Sequence, residues 1–83
     1  MRSPTLMLLM VEWDYRTVLT AEKVGEYYFS YTRAHARRLA AQGTFPIATF
    51  RMSDSQKAPW GVLLSDLAEY LDRRAAQARV EMS

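Results

Sequence analysis

The stretch Thr20-Ala21-Glu22-Lys23-Val24-Gly25-Glu26-Tyr27-Tyr28-Phe29-Ser30-Tyr31-Thr32-Arg33-Ala34-His35-Ala36-Arg37-Arg38-Leu39-Ala40-Ala41-Gln42-Gly43 decides the fold. Threonine is a favoured helix N-cap, and Thr20 and Thr32 each stand before a run of helix formers. Glu22 lies in the first turn of the first run, where the helix dipole favours an anion. Ala21, Val24 and Tyr28 share one helical stripe, and Ala36, Leu39 and Ala40 share another. Phe29-Ser30-Tyr31 breaks the two runs, and Gly43 is the expected C-terminal stop. The pattern predicts helices over residues 21–28 and 33–42 joined by a tight turn. Gly25 inside the first helix costs about 1 kcal/mol against alanine. A missing side chain there lets another helix approach closely.

Outward from this pair, Ser3-Pro4 reads as an N-cap followed by proline at the first helical position. Leu6, Leu9, Met10 and Trp13 then fall on one stripe, which predicts a short helix over residues 4–13. A buried strand stays open as the alternative, because Leu6 to Val11 is a run of six apolar residues. Asp14 to Leu19 reads as a connector with Val18-Leu19 extended. After Phe45-Pro46, Ile47, Thr49, Phe50 and Met52 favour a strand, Ser53-Asp54-Ser55-Gln56-Lys57 a polar turn, and Trp60, Val62 and Leu63 a return strand. That is a hairpin over residues 47–63. Ser65-Asp66 reads as the cap of a last helix over residues 66–81, with an inner stripe of Leu67, Tyr70, Leu71, Ala75, Ala78 and Met82. Glu69 and Arg73 are spaced to pair on it. Two helices with a tight turn followed by a basic-tipped hairpin match a winged helix-turn-helix. The expected fold is mainly α with a small β-hairpin wing, in a single domain spanning residues 1–83.

Composition removes much chemistry. The 83 residues contain no cysteine, which excludes disulfides, thiolate metal sites and a cysteine nucleophile, and fits a reducing cytoplasm. One histidine, His35, leaves no multi-histidine metal site. Gly25, Gly43 and Gly61 are isolated, so no phosphate-binding glycine loop is present. The run Leu6 to Val11 is far short of the roughly 20 apolar residues a membrane span needs, and Glu12-Trp13-Asp14-Tyr15 is no signal-peptide cleavage site. No membrane association, no cofactor and no metal are expected. Acid–base catalysis needs convergent tuned groups, and the helix neighbours of His35 (Tyr31, Arg38 and Leu39) include no carboxylate, so an enzyme is not expected.

Charge placement is more informative than its sum. The net charge is +2, but residues 30–57 carry +4 and the remainder −2. Arginine, whose planar fork suits phosphates and guanine edges, supplies nine of the eleven cations. A charge run is ordinarily a solvated face. Here two basic features coincide: a helix with Thr32, Arg33, His35, Arg37 and Arg38 outside, and a turn with Arg51, Ser53, Ser55, Gln56 and Lys57. Ser30 and Thr32 can also donate to phosphate beside the free amides of the helix start. The reading is a sequence-specific DNA-binding transcription factor, with helix 32–42 in the major groove and the wing at residues 51–57 on the backbone. Trp60, Phe50 and Leu39 are assigned to the core. So small a module makes few base contacts, so a homodimer or side-by-side copies on promoter DNA are expected. Trp13 and the methionine-rich first helix are either contact surfaces or ordinary core. The rival reading is a phage- or prophage-encoded interaction module that grips a host regulator or RNA polymerase subunit.

Leu19-Thr20-Ala21-Glu22-Lys23-Val24, with Gly43-Thr44-Phe45-Pro46, resembles the winged helix-turn-helix of MerR-like and excisionase-like regulators. Phe50-Arg51-Met52-Ser53-Asp54-Ser55-Gln56-Lys57-Ala58-Pro59-Trp60 looks like the pyocin activator protein (PrtN) family. So do Asp66-Leu67-Ala68-Glu69-Tyr70-Leu71-Asp72 and the opening Thr5-Leu6-Met7-Leu8-Leu9-Met10. The likeness covers nearly the whole chain, and Ser55-Gln56-Lys57-Ala58-Pro59-Trp60 is its most specific part. It implies a small bacterial or prophage-borne transcriptional activator that binds repeated boxes upstream of genes for phage-tail-like bacteriocins. It also implies that Ser55, Gln56, Lys57 and Trp60 form the wing signature, and that Arg37 and Arg38 are the basic helix positions. Tyr27-Tyr28-Phe29-Ser30-Tyr31, His35 and Phe45 depart from the pattern, which puts the identity of the box in doubt.

Overall fold

A computed structural model of the chain describes residues 4–82. The first helix, α1, runs Pro4–Glu12. After Pro4, which suits the first helical position, and Thr5, the residues Leu6 to Met10 and Glu12 are helix formers, and the element is a helix rather than the alternative strand. The Ser3 cap lies outside the described residues. Trp13, expected within the helix, sits in the turn after it, its N–H still reaching Leu9 O at 2.8 Å. Asp14 and Tyr15 then adopt positive φ of 59° and stop the helix. Leu9 is buried, with Leu6, Met10 and Trp13 packed against the core, while Met7, Leu8 and Val11 are exposed.

Strand β1, Val18–Thr20, leads straight into α2, Ala21–Tyr28. Thr20 Oγ1 accepts from Lys23 N at 3.1 Å and caps α2. Residues 29–32 form the turn, and Thr32 Oγ1 accepts from His35 N at 3.1 Å to cap α3, Arg33–Gln42. Gly43 closes α3 with φ 74°, a conformation glycine takes without steric penalty. Gly25 permits the close contact of the two helices: a Cβ placed there would lie 2.8 Å from Ala36 Cβ. The Gly25 carbonyl also accepts from Phe29 N at 3.1 Å and Tyr31 N at 3.0 Å, tying the turn to the same point.

Of the residues that departed from the family pattern, Phe29, Tyr31, His35 and Phe45 converge around that turn. Phe29 stacks on Tyr31 at 5.4 Å and meets Phe45 edge-on at 5.8 Å and Tyr70 at 5.5 Å. Tyr31 meets His35 edge-on at 4.8 Å. Such pairs contribute about 0.5–1.5 kcal/mol beyond area burial. The cluster fastens the turn to the segment after α3 and to the last helix.

The hairpin differs from expectation at its start. Strand β2 is only Phe50–Arg51, and β3 is Trp60–Leu63. Ile47 does not join a strand; with Phe45 it plugs the core from an irregular segment around Pro46. Pairing is short because Pro59, next to β3, has no N–H to donate; its carbonyl still accepts from Met52 N at 3.2 Å. A third strand joins: β1 pairs antiparallel with β3, Leu19 opposite Val62, which gives the order β1-β3-β2. Val18-Leu19 is thus the edge of a three-stranded sheet. Phe50, assigned to the core, is 37% exposed because β2 is the opposite edge. Trp60 and Leu39 are half-buried against the core.

The last helix, α4, runs Leu64–Met82 and begins at Leu64, two residues before the expected start at Asp66. β3 passes into it directly, Leu64 N donating to Thr17 O at 2.8 Å. Leu64, Leu67 and Ala68 are buried, and Tyr70 and Leu71 pack beside them. Ala75, Ala78 and Met82, expected on the inner stripe, are exposed. Among the described residues, the contact of α1 with α4 reaches Asp72, whose carboxylate accepts from the Thr5 hydroxyl, and the α4 residues beyond it are exposed. Glu69 and Arg73 pair at 2.8 Å. The described residues thus give a mainly helical protein of four helices and a small antiparallel sheet around one core. None of these helices is long and apolar enough to cross a membrane.

The glycine contact is testable. Gly25→Ala is expected to lose stability, because an overpacking cost of about 1–3 kcal/mol outweighs a helix-propensity gain of about 1 kcal/mol. Each net kcal/mol lowers Tm by about 4–8 °C for a domain this size. A Gly25→Ala protein that melts at or above the parent temperature contradicts the close approach. Gly43→Ala is expected to cost about 1–2 kcal/mol by backbone strain alone, since nothing lies within 4 Å of its Cβ position.

Candidate nucleic-acid interface

The cap at Thr32 fixes where α3 begins, and the Ala36/Ala40 stripe fixes which side faces inward. Arg33, Arg37 and Arg38 therefore point away from the core and are exposed. They are not free cations. Glu26 Oε1 lies 3.2 Å from Arg33 Nε, and Glu22 Oε2 lies 2.7 Å from Arg37 Nη1. These pairs form a ladder along the edge of α2 and α3. Glu22 and Glu26 are one helical turn apart, Arg33 and Arg37 are one turn apart, and the two pairs mirror each other across the turn. Both carboxylates lie just outside the basic stretch of residues 30–57. That double i,i+4 spacing was the available signal.

His35 is half-buried rather than fully presented outward. Its ring rests edge-on against Tyr31, and Nδ1 lies 2.7 Å from Arg38 Nη2, which donates to it. Its position orients Arg38. Each of Arg37 and Arg38 commits a nitrogen to an acceptor that aims the guanidinium, and five N–H donors per group leave others for a ligand.

At the hairpin tip the serines serve the turn itself. Ser53 Oγ accepts from Ser55 N at 3.3 Å, Ser55 Oγ from Lys57 N at 3.2 Å, and Ser55 O from Ala58 N at 3.0 Å. Arg51 also grips this turn, donating from Nη2 to Ser55 O at 2.8 Å, and its guanidinium lies over the Trp60 ring at 5.1 Å. A self-bonded turn of this kind holds Gln56 and Lys57 in place without core burial.

The two halves meet. Arg37, Arg38 and Ala41 of α3 face Gln56, Lys57, Pro59 and Trp60 of the hairpin across an open cleft of about 460 Å³, with Ala21 and Glu22 of α2 at its side. Of the residues expected to bind DNA, the cleft gathers Arg37, Arg38, Gln56 and Lys57. Arg33, Ser30 and Thr32 sit at the turn end of α3, and Arg51, Ser53 and Ser55 build the hairpin tip. Glu22, read from the sequence only as a helix-start anion, also belongs to the cleft, and so does Trp60, which the bottom-up reading assigned to the core and the family resemblance to the wing. Ser30 holds positive φ of 57° in the turn.

The opposite face of α2 docks on α1 through polar aromatic contacts. Glu12 Oε2 accepts from Tyr27 Oη at 2.7 Å and holds that phenol above the ordinary tyrosine range. Burial raises Tyr28 likewise, and its hydroxyl accepts from Trp13 Nε1 at 2.8 Å. Lys23 Nζ lies 5.9 Å from the Trp13 ring centre. Among the described residues no group of acidic or histidine side chains is placed to hold a metal ion.

Comparison with known proteins adds a family. The profile described as pyocin activator protein PrtN matches residues 5–78, from the first turn of α1 to well along α4. No curated protein and no solved structure matches the chain significantly. The family match includes both walls of the cleft and the helix pair behind it, and the chain belongs to the pyocin activator protein PrtN family.

Proposed function

We propose that the protein is a sequence-specific, double-strand DNA-binding transcriptional activator of winged helix-turn-helix type. In this reading α3 enters the major groove and the hairpin follows the backbone as the wing. The family's description as an activator supports regulation of transcription. The observation that carries DNA binding is the cleft in which Arg37 and Arg38 of α3 face Gln56 and Lys57 of the hairpin. A helix and a wing set this way grip a duplex from two sides, the helix reading base edges and the wing neutralising phosphate. Arg38, aimed by His35, suits a guanine edge. Lys57 suits phosphate as a point charge. Arg33, Ser30 and Thr32 at the start of α3, and Arg51 at the hairpin, extend the same basic surface. Nothing in the reading calls for a cofactor. Copies side by side on repeated boxes would multiply the few contacts of one module.

Binding to the duplex upstream of the neighbouring operon, compared with a scrambled duplex, tests this reading. Log affinity is expected to fall linearly with log salt, and Lys57→Ala to flatten that slope by about 0.9 on both duplexes. Arg38→Ala should cost about 1–3 kcal/mol on the cognate duplex and little on the scrambled one. Arg37→Ala leaves Glu22 unpaired beside the DNA and is expected to weaken binding more than Lys57→Ala. Glu22→Gln removes that anion and should tighten binding. No salt-dependent binding by the parent, or unchanged binding by both Arg37→Ala and Lys57→Ala, would sink the proposal.

The exposed apolar residues Met7, Leu8 and Val11 of α1 favour a second reading, in which this face contacts a host regulator or RNA polymerase subunit. Leu8→Glu is then expected to abolish activation of a reporter while leaving duplex affinity unchanged. Full activation by Leu8→Glu removes α1 as the contact.

A further inference from the structure

From Asp72 to Met82 every residue of α4 is exposed, so the helix overhangs its own domain by about 16 Å at 1.5 Å per residue. The seam that packs α4 into the core does not stop where the core stops. Leu64, Ala68, Leu71, Ala75, Ala78 and Met82 recur at alternating steps of four and three, the spacing of a helix–helix seam. Leu64 and Ala68 are buried and Leu71 is half-buried, whereas Ala75, Ala78 and Met82 meet solvent, Met82 at 88% exposure. The overhang is a seam with one side missing.

Its flanks show what fits it. Asp72 and Arg79 lie on one flank, seven residues apart, and Arg74 and Glu81 lie on the other, also seven apart. Each flank thus carries one charge of each sign at equivalent positions, which is the signature of a self-complementary antiparallel pair. With Ala75 set opposite Ala78 of a second copy, Leu71 falls opposite Met82 of that copy. Two small layers then occupy the middle and two large layers close the ends. In that register Arg74 faces Glu81 of the second copy, and Asp72, which also accepts from Thr5, faces Arg79. A parallel pair would instead oppose Arg74 and Arg79.

We propose that the α4 overhang is a homodimer interface, in which the tails of two copies pack antiparallel about a two-fold axis between Ala75 and Ala78. The occupant is a second copy of this chain, and the pairing is independent of whether the protein binds DNA. The contact is small, so the dimer is weak and concentration-dependent.

Sedimentation equilibrium of the full chain, from micromolar to millimolar, reads this directly. The parent is expected to dimerise. Arg74→Glu sets two like-charge pairs against each other in each dimer and should weaken association about tenfold. Glu81→Arg should do the same, and the double variant Arg74→Glu/Glu81→Arg should restore the parent affinity. Both positions are exposed, and circular dichroism confirms that each variant keeps its helices. Val80→Ser, off the seam although Val80 is 75% exposed, should change nothing. A parent that stays monomeric at every concentration overturns the proposal. Stronger association of Arg74→Glu overturns the antiparallel arrangement, because only a parallel pair gains from removing that arginine.

Discussion

At the contact of Gly25 with Ala36, α2 and α3 leave no room for a side chain on residue 25. Much follows from it. At that separation the α2 carboxylates reach the α3 arginines, which makes the Glu22–Arg37 and Glu26–Arg33 ladder. The Gly25 carbonyl receives two N–H groups of the turn, which sets Phe29 and Tyr31 into the aromatic cluster. The cluster in turn fixes α3 relative to α4 through Tyr70. A residue that contributes no side chain thereby determines where three arginines stand.

Those arginines explain why the charge of the protein is easily misread. A +4 stretch in a +2 protein suggests a bare basic surface. In the folded molecule Arg37 is half-neutralised by Glu22, Arg38 is leashed by His35, and Arg51 lies on Trp60. The surface is basic but also ordered. Exposed ion pairs of this kind contribute little to stability, about 0–1 kcal/mol each. Their effect is on geometry: a long side chain held in one orientation loses less freedom when a ligand arrives.

What was legible in the sequence was local. Thr20, Thr32 and Gly43 mark helix ends through bonds to residues three or four positions away, and all three stand where the composition put them. Gly25 was legible too, as a helix glycine that needed a reason. The pairing of β1 with β3 was not, because Leu19 and Val62 share no local signal and three elements separate them. Phe29, Tyr31 and Phe45 looked like anomalies one at a time and became a cluster, joined by Tyr70 of the α4 stripe, only in three dimensions. The helical stripe of α4 was read correctly as apolar and wrongly as buried, since periodicity reports a face and not what covers it. In the candidate site, Arg37, Arg38, Gln56 and Lys57 were legible from charge and turn chemistry; Glu22 read only as a helix-start anion, because its place beside Arg37 depends on the packing of α2 on α3.

The β1–β3 ladder has one more consequence, for the order in which the molecule can assemble. β3 is the central strand, yet it is the last of the three to leave the ribosome. Both helices of the pair and the whole hairpin turn lie inside the loop that its pairing with β1 closes. The entropy of that closure must be met before Val62 can bury itself against Leu19, and local pairing within the hairpin reduces it only in part. A nascent chain that ends before Trp60 has two capped helices and no sheet to seat them. The three-stranded sheet thus waits for the C-terminal third of the chain, which supplies its central strand.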